Sequence, residues 1–355
     1  MKTILKIWWK IALVMVLAGV ALLILGFSFG ARGGYVYFSA GRLHFATADA
    51  YYIVQEPDLP AFDAIEIMAR SADIEIIKSD HYGLEMRLPE YEDGPEWGIT
   101  DGKLTVDASL ADNIITFMSF GFNQSHYIKV YVPGGGVSGG TGPDSDKLKS
   151  VDLTTRSGNI KMQGIPADRI EISASSGYIK VDTPYYRSAT AHATSGDIIF
   201  NGAGDKASLK LSASSGVITA DASGCDAVDI DVKSGNITLS GDTNATAEIR
   251  AKASSGKIDI NVAAWESLAA DTNSGNIEIT GDPHGATSAN ARAGNVTMRL
   301  AGEESDYSYE ISASAGTIRV GGRRVGSPAR SINNAAGNTI NIKTSSGSAR
   351  VDFDR

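Results

Sequence analysis

The chain has 355 residues, of which 32 are basic and 41 acidic, for a formal net charge of −9. That balance excludes the basic stripe that nucleic-acid binding needs, and it disfavours simple electrostatic attraction to anionic lipid or wall polymers. The single cysteine, Cys225, excludes an intrachain disulfide and a cysteine-based metal cluster, and it reads as a small packing residue.

Residues 1–30 differ from the rest. Lys2, Lys6 and Lys10 precede an uninterrupted apolar run, Ile11 to Phe29, in which twelve residues are Leu, Ile, Val or Phe. Nineteen helical residues span about 28 Å, close to the hydrocarbon thickness of a bilayer. Insertion of those twelve side chains gains about 4–7 kcal/mol on the translocon scale, and flanking lysines predict a cytoplasmic N-terminus. The expectation is a single-pass cell-membrane anchor with everything after Gly30 extracellular. A cleaved signal peptide is the competing reading, with Ser28 and Gly30 as a weak cleavage site.

Residues 31–60 read as a juxtamembrane connector with one short helix. From Phe62 the chain alternates apolar and polar residues in "FDAIEIMA", "ADIEIIKS", "GLEMRLPE", "KLTVDAS" and "YIKVYVPGGG". Residues 61–140 therefore form a strand-rich leader. "GVSGGTGPDSD" is a turn-rich bridge into residues 141–355, where one sentence recurs: "TTRSGNIKMQG", "DVKSGNITLSGD", "DTNSGNIEITGD".

The turn glycines are Gly158, Gly177, Gly196, Gly216, Gly235, Gly256, Gly275, Gly294 and Gly316, then Gly337, with successive gaps of 19, 19, 20, 19, 21, 19, 19, 22 and 21. Two and four residues after each of the first nine stand apolar residues, from Ile160 and Met162 to Ile318 and Val320. Five before stand Leu153 through Ile311, and three before stands mostly Ala. Polar residues fill the positions between. This is the period of a half-buried strand, so the fold class is all-β: a parallel β-solenoid of about ten coils of 19–22 residues. Nine intervals at the inter-strand spacing make a rod of about 43 Å. At Gly337 the inward register slips to Ile340 and Ile342; Gly347 follows after only ten residues, as a truncated last coil, and "SSGSARVDFDR" reads as a cap.

The serine before each glycine invites a nucleophile reading. No histidine tracks it, and Ala293, Ala315 and Ala336 replace it in three turns, so it reads as a turn residue bonding its local backbone. The glycine serves a turn with positive φ. Calcium-loop spacing is absent from "GTGPDSD" and "SGNI". A polysaccharide-cleaving solenoid needs carboxylates gathered on one outward ladder; Asp231, Asp259, Asp271 and Glu278 are the candidates, although a solvated acidic face gives the same pattern. Tyr178, Tyr185, Tyr186 and Trp265 are expected on the exterior or at corners. The hexapeptide acyltransferase pattern is not met. No catalytic, cofactor-binding or metal-ligating residue is assigned.

The leader "FDAIEIMARSADIEIIKSD", the segments "DGKLTVDAS" and "YIKVYVPGG" and the "SGNI" or "SGDI" turns resemble the bacterial DUF4097 "putative adhesin" family, over Phe62 to Arg355. The resemblance implies an envelope-exposed β-solenoid behind a transmembrane segment, often near cell-envelope stress systems of Gram-positive bacteria. It implies adhesion and supplies no catalytic residues. The reading is a non-catalytic surface protein that binds an envelope protein or cell-wall glycan. The alternatives are a β-helical enzyme acting on surface polysaccharide and a purely structural spacer.

Overall fold

The computed structural model describes residues 14–16, 18–19, 34–39, 42–47, 51–89, 94–109, 115–120, 125–133, 147–326 and 328–354. Within the expected anchor, residues 14–16 and 18–19 are helical; the remainder lies outside the described residues, as does the bridge 136–146. No helix among the described residues is long and apolar enough to cross a membrane. In place of the short helix expected in 31–60 stand strands Gly34–Ser39, Arg42–Thr47 and Tyr51–Glu56. The run "YVYF" carries the β-branched and aromatic residues that favour extended backbone. The first two of these strands form an antiparallel three-stranded sheet with Ile115–Phe120, in a compact unit of its own.

The other unit is a β-solenoid. Its leader strands Ala64–Ala69 and Asp73–Ser79 make a coil on which Leu148–Ser157 and Ile160–Gln163 stack in parallel, with Leu153 beside Ile67 and Ile160 beside Ile74. On the opposite edge, Lys103–Ala108 and Tyr127–Pro133 also stack in parallel. Beyond them run antiparallel strands, Glu96–Thr100 beside the first and Gly83–Pro89 beside the second. The leader thus supplies the first coils and closes that edge with a change of strand direction, which protects an otherwise open template.

From there each coil repeats the last. The residues two and four after the turn glycines, from Ile160 and Met162 to Ile318 and Val320, are all buried, as are those five before. Each Ile or Val taken from water contributes about 1.5–3 kcal/mol, so the columns hold the rod. The position three before the glycine is mostly Ala, with Val232 before Gly235. Where Thr stands instead, its hydroxyl donates to the carbonyl of the neighbouring turn: Thr155 to Ala72 (3.3 Å), Thr272 to Gly256 (3.3 Å), Thr344 to Gly294 (2.9 Å). The buried hydroxyl is thereby satisfied.

The last coils do not stack in chain order. Strand Asn338–Ser346 lies between Ile277–Ala293 and Tyr307–Ala315, parallel to both. Likewise Ala349–Asp354 lies between Val296–Ala301 and Ile318–Val320. Gly347 therefore follows Gly294, and Gly316 comes last. The expected turn at Gly337 is not one, since a side chain there would meet open space. The apparent register slip has a simple cause: Ile342 stands five before Gly347, and Ala349 and Val351 stand two and four after it, all buried. The C-terminal segment is a full coil inserted into the stack. The end is closed instead by antiparallel Ala329–Ile332 on Tyr307–Ala315 and Arg323–Arg324 on Ile318–Val320.

Candidate functional site

The turns show what the repeated sentence is for. A Cβ on Gly177 would fall on the carbonyl oxygen of Gly158, one on Gly196 on that of Gly177, and so through Gly216, Gly235, Gly256, Gly275 and Gly294; Gly158 meets Ala72 in the same way, and Gly316 meets Gly347. Glycine is required because stacked turns approach too closely for any side chain. Seven of the nine also have φ between 133° and 152°, whereas Gly158 and Gly316 do not adopt the left-handed region. From Gly158 to Gly294 each of these glycine N–H groups donates to a carbonyl one coil on, as Gly235 does to Ser255 at 2.9 Å.

The serine before the glycine is exposed in each of the eight stacked turns that carry it, Ser346 before Gly347 included. The expectation that its hydroxyl bonds the local backbone is not met: the carbonyl accepts the ladder bond, and alanine supplies the same carbonyl at Ala293 and Ala315. The side chain with a role is the one after the glycine. Asn159 Oδ1 accepts from the Tyr178 N–H (3.1 Å), Asp197 from Val217 (2.8 Å), Asn236 from Lys257 (2.8 Å) and Asn276 from Asn295 (2.8 Å). Asn or Asp clamps the next coil wherever it holds this position, in alternate coils through the middle of the stack (Asn159, Tyr178, Asp197, Val217, Asn236, Lys257) and in consecutive ones at its ends, where Asp73 accepts from Asn159 (2.7 Å) and Asn295 from Ser348 (2.8 Å).

Of the four aromatics expected on the exterior or at corners, two are fully buried. Trp265 is fully buried and donates its indole N–H to Thr287 (2.9 Å). Tyr186 is fully buried, edge-on to Phe200 at 5.1 Å, its hydroxyl 3.0 Å from Cys225 Sγ. Both fill the wide corner where the chain travels from one face to the next, and an aromatic ring is the cheapest way to occupy that volume. Burial pushes the Cys225 thiol up to about 11, so it stays a protonated packing group. Tyr178 and Tyr185 remain partly exposed, as expected.

The four candidate carboxylates do not gather. Asp259 and Glu278 lie on the strand after the turn and share the Lys257 ammonium at 2.9 Å each. Asp231 and Asp271 lie on the strand before it, flanking Lys252 in the ladder. Cross-strand charges alternate there as Asp231, Lys252, Asp271, an arrangement that stabilises the sheet.

Beyond Asp271 this outward column continues with Asn290, Lys343 and Ser312. Together with Asn273 and Arg292 one position along, these residues line a shallow polar groove of about 570 Å³ across five coils. Asn290 Nδ2 donates to Asp271 Oδ1 at 2.7 Å, which holds the only carboxylate of the groove against its amide. Lys252, Arg292 and Lys343 are exposed and have no ion pair among the described residues. The groove thus offers free cations, two amides and hydroxyls on a rigid floor. Inserting Asn338–Ser346 puts Lys343 between Asn290 and Ser312, a placement that chain order does not reveal. Among the described residues no group of His, Cys, Asp or Glu could hold a metal ion.

The sequence model of the Toastrack DUF4097 family matches residues 62–281 and 209–352. Solved structures with a similar fold include a "putative adhesin" of Bacteroides fragilis, at 11% identity over 86% of this chain and 98% of that one, TM-score 0.36. A "putative adhesin" of Parabacteroides distasonis is 12% identical over 86% and 98%, TM-score 0.45. A "putative lipid binding protein" of the same species is 15% identical over 85% and 97%, TM-score 0.37. No curated protein matches the chain.

Proposed function

The chain belongs to the Toastrack DUF4097 family, and from that premise we propose a non-catalytic surface protein, held by a single N-terminal membrane span with the solenoid outside the cell, that binds an envelope ligand. Its work is adhesion or the sensing of envelope stress through a bound protein or wall glycan. The observation that carries this reading is the groove across the C-terminal coils. Its three cations, two amides and hydroxyls are unpaired or lightly paired, yet they stand on strands locked by a ladder at every turn. A rigid polar groove of this kind recognises hydroxyl- and anion-bearing ligands with little ordering cost. The separation of Asp259 and Glu278 from Asp231 and Asp271 speaks against a carboxylate-based hydrolase on these ladders.

The test takes the full chain in neutral detergent and incubates it with washed cells, isolated wall and lipid vesicles before crosslinking. A variant carrying Lys252→Ala, Asn290→Ala and Lys343→Ala runs alongside. Capture of one envelope protein, or of wall, by the parent and at least about tenfold less by the variant is the expected result. Equal capture by both would remove the groove from the function. No retention above an unrelated acidic protein would leave the spacer reading in its place.

A further inference from the structure

We propose that the C-terminal end of the solenoid carries a second, separate binding surface, for a linear polymer bearing phosphate groups. On the face formed after the turns, Arg350 stands beside Arg319 on parallel strands, and Arg319 stands opposite Arg324 across an antiparallel pair. All three are exposed and point outward between buried neighbours such as Ala349, Val351, Ile318 and Val320. At the ordinary inter-strand spacing they form a column about 10 Å long. Arg299 is one position aside in the next coil, beside Asp352.

Only Arg350 is compensated here, its Nε lying 2.5 Å from Asp352 Oδ2. Arg319 and Arg324 have no ion pair among the described residues, in a chain with nine more acidic than basic side chains. Like charges directly opposite one another weaken a sheet. Three guanidinium groups in one column therefore cost stability in the free protein, a cost that a bound polyanion removes. Elsewhere on the same face like charges also stand side by side, Lys161 by Lys180 and Asp259 by Glu278, but there Lys161 pairs with Glu75 at 3.1 Å and Lys257 bridges both carboxylates.

The occupant follows from geometry and neighbours. Guanidinium groups take phosphate through paired, parallel hydrogen bonds. A column of them matches anions repeating along a line better than one isolated anion. Among the described residues of the solenoid unit the exposed large apolar side chains are Ile53, Met68 and Val217, none of them on these C-terminal strands, so the solenoid itself offers no wedge for a bilayer surface there. Tyr307 and Tyr309 are buried, and the half-buried Phe353 already stacks on Tyr307 with ring centroids 5.2 Å apart, so the described aromatics at this end offer no row of open rings for single-stranded nucleic acid. The surface lies on a different face from the groove, and the two readings stand or fall separately.

The experiment measures binding of the full chain in neutral detergent to inorganic polyphosphate, to orthophosphate at equal phosphate concentration, and to phosphatidylglycerol vesicles. Polyphosphate should bind at low salt, weaken as salt rises, and bind at least about tenfold tighter than orthophosphate. Arg319→Gln with Arg324→Gln should weaken polyphosphate binding at least about tenfold while leaving the melting temperature of the free protein equal or higher. Asp352→Asn, which frees the Arg350 guanidinium from its one carboxylate partner, should tighten binding, and it decides the matter even if the double variant folds poorly. Unchanged binding in these variants, equal affinity for orthophosphate, or capture by vesicles without capture of the polymer would each overturn the proposal.

Discussion

A glycine whose missing Cβ would overlap the next turn's carbonyl is a different object from a glycine in an ordinary loop. At Gly235 both the close approach to Gly216 and a φ of 143° forbid a side chain. Gly235→Val should therefore lower the melting temperature by several degrees or prevent folding, whereas Ser234→Ala, which keeps the carbonyl and loses only an exposed hydroxyl, should shift it by less than about 2 °C. Thermal unfolding of the two variants side by side checks this; equal midpoints would show that the carbonyl ladder does not hold the turn. The glycines and their inward neighbours were legible because they recur. The role of Asn159, Asp197, Asn236 and Asn276 was not, because a side-chain acceptor for the coil above leaves no mark in any single repeat.

Among the elements, the inserted strand is the one that chain order misplaces. Asn338–Ser346 supplies ladder partners on both sides, and among the described residues the outermost strand Tyr307–Ala315 has no other parallel neighbour. Deleting residues 338–355 should therefore do more than remove a terminal coil. Amides of 307–315 and 318–320 are expected to lose protection in hydrogen exchange together, while those of 167–176 keep theirs. Retained protection at 307–315 in the truncated chain would mean that this segment docks on the 286–293 strand directly. The signal for the insertion was present, since Ile342, Thr344, Ala349 and Val351 fit the pattern around Gly347. Adjacency in sequence made Gly337 the more natural landmark, and only the pairing shows which glycine stacks.

Over the whole molecule, charge is sorted along the rod in a way that the net value conceals. Near the leader, Glu66, Asp152 and Glu171 occupy one outward column. Burial, and then the carboxylates of Glu171 and Glu66, push the Asp152 carboxyl above its ordinary 3.8. A raised carboxyl binds its proton more tightly when folded, so its charged form opposes folding above that range, and the penalty fades as pH falls through it to below 3.8. Asp152→Asn should consequently raise the melting temperature at pH 7, with the gain shrinking towards zero near pH 3. A gain independent of pH would place its origin in packing. At the other end the column Arg350, Arg319, Arg324 has the opposite sign, so the net −9 that argues against polyanions describes the average and not the surface that a ligand meets.

The all-β solenoid, its coil length, its inward columns and the corner glycines from Gly158 to Gly316 follow from residue order alone, because strand alternation and a recurring turn leave a period, whereas residue order points to Gly337 for the corner that Gly347 forms. The sequence also carried the resemblance to the family that the match over 62–281 and 209–352 establishes. Tertiary structure alone decided which coils touch: the leader as first coil, the C-terminal strands as an insertion, Trp265 and Tyr186 as corner filling, and Lys343 among Asn290 and Ser312 in the groove. These depend on pairing between segments distant in the chain, where the free energy is set by whole strands that fit side by side and no single residue announces its neighbour.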